Sequence, residues 1–434
     1  MRKQANNPTG ISVADLREVG ASLSDLALGQ RKIRASQRGK NRGYWPRLQY
    51  EVCHAVALLI VLASHAAFAA DPNSKPASSP SQLTATATTW PLFRANPLAT
   101  GVAASPLPEN PALLWKFPTE QGAFESTPVV ADGVVFIGSL DGNLYAVNLA
   151  DGKEKWRFHT ELGFAASAAV RDGLVFIGDT EGRFYCLDAA TGKAKWGFES
   201  QAEIDSSANF IGDRVLFGSQ DASLYCLNAA DGVLVWKYTI EDQIRCFPTV
   251  VDNRAFVAGC DSKLHVIDLT KGEKIASVEI DAPTGTSPAV QGDFVFFGTE
   301  GNTFFCINWR DARVLWTYQN ARAQAYRSSA AVTGKAVVVG GRNKLVHALD
   351  PQDGRELWTF ATKARVDGSP VVVGDRVYIG SGDGRVYGLE LATGKKFWEY
   401  ETGGRFSGSP AVANGRLLIG NEDGVLYCFG EKTK

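Results

Sequence analysis

The chain has 434 residues, 45% of them apolar and 21% charged, with a formal net charge of −1. That composition supplies a large core and excludes global disorder. From Ala70 onward 35 basic residues stand against 42 acidic ones, the wrong sign for a general phosphate-binding surface, so no nucleic-acid partner is expected.

Residues 1–50 carry ten Lys or Arg against Asp15, Glu18 and Asp25. This basic leader runs into Cys53–Ala70, CHAVALLIVLASHAAFAA, an apolar stretch whose small residues Ala67 and Ala69 suit signal-peptidase cleavage after Ala69. The expectation for residues 1–69 is a leader and signal peptide, with export to the periplasm, cell envelope or outside. An uncleaved anchor and a start codon placed too early are the alternatives. His65 follows Leu62-Ala63-Ser64 where a lipoprotein needs cysteine, so membrane attachment is expected only through an uncleaved anchor or a partner. Residues 70–89 are rich in Pro, Ser, Thr and Ala without apolar periodicity and read as a flexible linker; residues 90–111 lead into the array.

Tryptophans then recur at Trp115, Trp156, Trp196, Trp236, Trp316, Trp358 and Trp398, in steps of 41, 40, 40, 80, 42 and 40. The double step is centred on Ala276, which follows Lys271-Gly272 as Trp156 follows Asp151-Gly152. One repeat has therefore lost its ring, and a weaker junction is expected there. A second marker, an apolar run ending in glycine, occurs eight times, from Val134–Gly138 to Leu417–Gly420. Tight turns such as Asp141-Gly142 and Asp383-Gly384 follow, then strands such as LYAVN and VYGLE, then a further glycine turn into the tryptophan strand. Asp-Gly tolerates the positive φ angles of two-residue hairpins. Four short antiparallel strands in about 40 residues make a propeller blade.

Strand accounting closes the ring. The last repeat ends after three strands near Phe429, while the first tryptophan strand, Leu113 to Phe117, has no blade before it. The predicted fold is all-β: an eight-bladed β-propeller of four-stranded antiparallel blades over residues 112–430, the N-terminal strand completing the C-terminal blade, with a tail at 431–434. A solenoid of the same repeats would leave both fragments as orphan edges. The tryptophans, each after a glycine turn on the outermost strand, read as inter-blade docking rings.

These residues resemble the pyrroloquinoline-quinone-type repeat: small residue, Pro, apolar strand, Gly, turn, Leu-Tyr-small-Leu, Asp, Thr-Gly-Lys, Trp. The copy at Ser369–Trp398, SPVVVGDRVYIGSGDGRVYGLELATGKKFW, carries the pattern most fully, and Trp90-Pro-Leu-Phe-Arg94 looks like the lead-in such propellers place before their first blade. The resemblance implies one of two branches. One comprises quinone- and calcium-dependent dehydrogenases, whose alcohol-type members stack an adjacent cysteine pair on the quinone; the other comprises BamB-like, non-enzymatic scaffolds of outer-membrane assembly. This chain has neither a Cys-Cys pair nor a C-x-x-C-H haem run, and no local cluster supplies the aromatic plate, cations and oxygen-rich site of a quinone centre.

Cys186, Cys226, Cys306 and Cys428 occupy one equivalent slot in four blades and read as small core residues, not metal ligands. Cys246 and Cys260 flank the Asp252-Asn253-Arg254 turn. A three-residue turn sets them opposite each other for a disulfide, which export permits, whereas a two-residue turn puts them on opposite faces. His265 and His347 replace the tyrosine of other blades, with no acidic or cysteine partner at ligand spacing, and read as structural.

The loops leading into the innermost strands break the repeat. They are expected to bring Glu125, Asp205, Arg245, Arg327, Asp367, Arg365 and Arg405 to one mouth of the channel, beside Phe124, Phe164, Tyr326 and Phe406. That mixture suggests a recognition surface, with solvated loop charges as the plain alternative. The functional expectation is a monomeric, exported, non-catalytic scaffold binding a protein segment or small ligand there, or pairing a partner along an outer strand edge, without cofactor or metal. The alternatives are a quinone- and calcium-dependent dehydrogenase and a domain that merely spaces other modules.

Overall fold

Turn chemistry folds each repeat into a meander. In the first blade Asp132 and Gly133 take φ of 49° and 72°, the two left-handed residues that a tight antiparallel hairpin requires, and they join Val129–Ala131 to Val134–Gly138. Asn143–Asn148 and Glu154–His159 complete the blade. The computed structural model describes residues 85–322 and 324–432, all within a compact unit spanning Ala77–Lys434. The expected leader at 1–69 and most of the linker at 70–89 lie outside the described residues. Eight sheets of this meander order form an eight-bladed β-propeller, seven of four strands and one, the seventh blade, with Val102–Ala103 added in parallel as a fifth. Ala112–Pro118 pairs antiparallel with Val425–Gly430, so the eighth blade takes its outermost strand from the start of the array.

A bulge in the outermost pairing sets each tryptophan opposite the small-residue slot of the third strand, as in Ala146 with Trp156 and Cys186 with Trp196. The ring then lies over the turn glycine of the next blade: a Cβ on Gly192 would meet Trp156 at 2.6 Å. The indole N–H donates across the junction, from Trp156 to the Ala189 carbonyl at 3.1 Å and from Trp236 to that of Leu269 at 3.1 Å. The four slot cysteines are buried free thiols, their proton affinity pushed up to about 12 by burial.

The junction at Ala276 is repaired from the other side. Phe136, Phe176 and Phe296 on second strands touch the tryptophan of their own blade at 5.7, 5.9 and 5.9 Å between centroids. The equivalent Phe256 in the fourth blade instead touches Trp309 of the fifth, at 5.6 Å. Trp309 is 4% exposed and donates to the Gly292 carbonyl at 3.0 Å, with Arg310 over its ring at 4.3 Å. Ala312 stands where other blades carry the turn glycine, at φ 50°. A Trp–Gly pair has become an Ala–Ala pair with the ring supplied in reverse, so the junction expected to be weaker is filled from the fifth blade.

The lead-in does more than precede the first blade. The carbonyls of Trp90, Pro91, Pro97, Leu98, Thr100 and Gly101 accept N–H bonds of 2.8 to 2.9 Å from Val130, Val170, Val250, Val290, Val332 and Val372. One winding segment thus caps the inner edges of blades one, two, four, five, six and seven in turn, and Asn209 of the third reaches Pro97 through its side-chain amide. Bare inner edges would leave buried donors unmade. Arg94, fully buried, donates to the carbonyls of Ala330 and Pro370 in blades six and seven at 3.0 and 2.5 Å.

Two sequence expectations on the fourth blade change. Val251 pairs with Arg254 and Val250 with Ala255, a two-residue turn, so Cys246 and Cys260 are out of register; both are free thiols. His265 does have an acidic partner: its Nε2 lies 2.9 Å from Asp261 Oδ2, copying the Tyr145–Asp141 hydrogen bond of the first blade. In the sixth blade His347 sits between Tyr318 and Asn343 with no carboxylate on its ring, and burial drops its proton affinity to about 4. The unfolded chain therefore binds this proton below pH about 6.5 and the folded chain does not. Stability should fall by roughly 2 to 3 kcal/mol between pH 6.5 and 4 on this account. Denaturant titrations of the wild type and His347→Gln check it, since the variant should lose that part of the slope; equal slopes would refute it.

Candidate functional site

Seven of the eight leading loops carry an apolar residue that packs on the glycine ending a neighbouring second strand, the fifth having Thr284 at that position. A Cβ on Gly138 would meet Phe164 at 2.6 Å, and one on Gly420 would meet Phe124 at 2.5 Å. Phe124, Phe164, Tyr326 and Phe406 are 0 to 1% exposed. They are corrected from anchors at a mouth to inter-blade packing, equivalent to Ile204, Ile244 and Val366 elsewhere.

The next residue in each loop turns into the channel. Glu125, Ala165, Asp205, Arg245, Gly285, Arg327, Asp367 and Ser407, one from each blade, form a ring shared by two chambers. The wider chamber, about 600 Å³, lies to one side, with Arg342, Arg365, Glu300 and Glu422 also in its wall. The narrower one, about 150 Å³, lies below and includes Phe93 of the lead-in and Phe247, whose rings are 5.9 Å apart. The arrangement is a cup with the lead-in at its foot. Six of the seven charged loop residues singled out in the sequence line it; Arg405 is exposed and outside the lining.

The charges are unevenly paired. Asp367 is held by Arg342 at 2.9 Å and Arg365 at 2.8 Å, and Arg327 by Glu300 at 2.8 Å. Gln220 donates to Asp205 at 2.7 Å and to Glu203 at 2.8 Å. Glu125 has no hydrogen-bond or ion-pair partner among the described residues. Burial, then the neighbouring Glu422 and Asp205 carboxylates, raises its proton affinity; burial and Glu203 do the same for Asp205.

A second ring escaped sequence reasoning. Ser167, Ser207, Ser287, Ser329, Ser369 and Ser409 line the narrow chamber, 3 to 7% exposed. Each Oγ accepts a backbone N–H from the preceding blade at 2.8 to 3.0 Å. That bond occupies one lone pair and leaves each hydroxyl a proton and a second lone pair for the chamber. The signal was a serine recurring at the repeat spacing, before Pro288, Pro370 and Pro410 and before Ala168, Ala208 and Ala330, read as consensus and not as a ring.

The sequence model of a family described as outer membrane protein assembly factor BamB matches residues 107–245, 181–275, 242–347 and 342–433. No curated protein matches the chain. Among solved structures, BamB from Moraxella catarrhalis is similar with a TM-score of 0.63 at 20% identity, over 75% of this chain and 98% of that one. Quinohemoprotein alcohol dehydrogenase from Comamonas testosteroni aligns with a TM-score of 0.69 at 14% identity, over 81% and 82%. The computationally designed Ika8 protein aligns at 0.66 and 16%, over 74% and 99%. At these identities the structural likeness establishes the fold and leaves function to the site.

Proposed function

We propose a scaffold role from one premise: the chain belongs to the family of the outer membrane protein assembly factor BamB. In this reading it is a non-catalytic propeller of the cell envelope that holds a protein segment in the cup. The observation that carries the reading is the cup's ring, the position where eight otherwise similar blades diverge into acid, arginine and small residue. Packing needs no such divergence, and recognition does.

A quinone enzyme is the second reading, favoured by the alcohol dehydrogenase likeness. The residues suit that group poorly. A planar quinone with several carboxylates needs an aromatic plate and free cations. The wide chamber has no aromatic side chain in its lining, and three of its four arginines are engaged with Glu300 or Asp367. Among the described residues no group of three His, Cys, Asp or Glu is placed to hold a metal.

A photo-crosslinking residue in place of Ala165 tests the scaffold reading in envelope preparations. We expect one dominant protein adduct, reduced at least tenfold when Gly285→Trp fills the cup's ring, a change that leaves its charge alone. Undiminished adduct in that variant, or quinone-dependent dye reduction by the pure protein with calcium, would count against it.

A further inference from the structure

We propose that the cup recognises a primary ammonium group, the end of a lysine side chain on the captured segment, with its charge against Glu125 and Asp205 and its N–H donors on the serine ring. This deepens the scaffold reading and rests on it.

Charge decides against an anion. The wide chamber's wall carries Glu125, Asp205, Asp242, Glu300, Asp367 and Glu422 against four arginines, and the ion pairs leave the surplus on the side of Glu125 and Glu422. Burial first, and repulsion from neighbouring carboxylates after it, raise the proton affinity of Glu125 and Asp205; a further anion would add to that repulsion and a cation relieves it. Arg245 offsets part of that surplus by lowering the proton affinity of Asp205, but its guanidinium is bonded to Gln243 Oε1 at 2.5 Å and Gln220 Oε1 at 3.5 Å and forms no ion pair with Glu125 or Glu422 among the described residues.

Shape and chemistry below agree with the charge. The serines are more than nine-tenths buried, line the narrow chamber and already accept one bond each, so each oxygen keeps one lone pair for a donor. An ammonium presents three donors and no acceptor, and several such oxygens around it match that demand. The narrow chamber is of side-chain size, about 150 Å³, and Phe93 and Phe247 offer apolar contact for methylenes and ring faces for the charge. Guanidinium is a planar fork with five donors, which a closed ring of hydroxyls fits less well.

The test uses the exported protein and a blocked five-residue peptide with one central lysine, measured by calorimetry. We expect binding that weakens at least tenfold when the lysine Nζ is acetylated, when Glu125→Gln and Asp205→Asn are combined, and when ionic strength is raised from 0.05 to about 0.5 M. Cadaverine should compete, because it offers the same group without a peptide. Equal affinity for the acetylated peptide, or preference for a glutamate peptide, overturns the ammonium assignment whether or not the variants fold. If the assignment fails while Gly285→Trp still removes the Ala165 adduct, the cup remains a capture site for another chemistry. If both fail, the scaffold reading falls with it.

Discussion

Replacing Trp309 by alanine should cost roughly 3 to 5 kcal/mol of unfolding free energy, as much as losing any regular docking tryptophan. The ring fills the gap over Phe256 that Ala276 leaves, donates its N–H to Gly292 and lies beneath Arg310. Truncation therefore removes packing and a hydrogen bond, and leaves a cavity between blades. Restoring the common arrangement requires two further changes. Trp309→Ala with Ala276→Trp alone should recover little, because the Ala312 Cβ would stand where a Cβ on Gly192 would meet its tryptophan at 2.6 Å. Adding Ala312→Gly should return most of the loss. Denaturant midpoints of the single, double and triple variants check this, and a single variant losing less than about 1 kcal/mol would show that the reversed ring is ornamental.

Arg94→Glu should be the most damaging single substitution in the lead-in, at least 3 to 5 kcal/mol, whereas Arg94→Met should be nearly neutral. The guanidinium is completely enclosed, with burial lowering its proton affinity to about 9. Only Nη2 is bonded, to Ala330 and Pro370, while Nε and Nη1 have no partner. Its own burial is therefore a large cost that its two bonds only partly offset, and a thioether chain of similar length avoids that cost. A carboxylate would face the same two carbonyl oxygens with no donor. Thermal unfolding of the two variants separates these cases, and equal losses for both would show that packing volume, not charge, governs the site.

The blade count and strand order were legible because their signals are local: a glycine at a positive φ, a ring four residues on, a run ending in glycine. What was illegible lies between blades. Ala276 reads as a defect until Trp309 is seen across the junction, and the only trace in the chain is that Ala312 has lost its glycine. Phe124 and Tyr326 broke the consensus and so resembled recognition residues, yet their bulk answers to the missing side chains of Gly420 and Gly298. The charged members of the cup were found because solvent-facing charge has no packing reason to vary. At Asp252-Asn253 a turn one residue shorter than the bridging alternative was enough to move Cys246 and Cys260 out of register, and its signal was the two-residue turn at the equivalent Asp132-Gly133. The course of residues 87–101 has no periodicity at all, since its carbonyls follow a circle of edges contributed by the rest of the chain.

The pairing of Ala112–Pro118 with Val425–Gly430 also orders events in time. The segment synthesised first among the blades must wait, unpartnered, until almost the last residues have been delivered, so a product stopped early remains an unlatched crescent. Such a fragment presents raw edges at both ends to proteases and chaperones, and only the completed polypeptide can hide them.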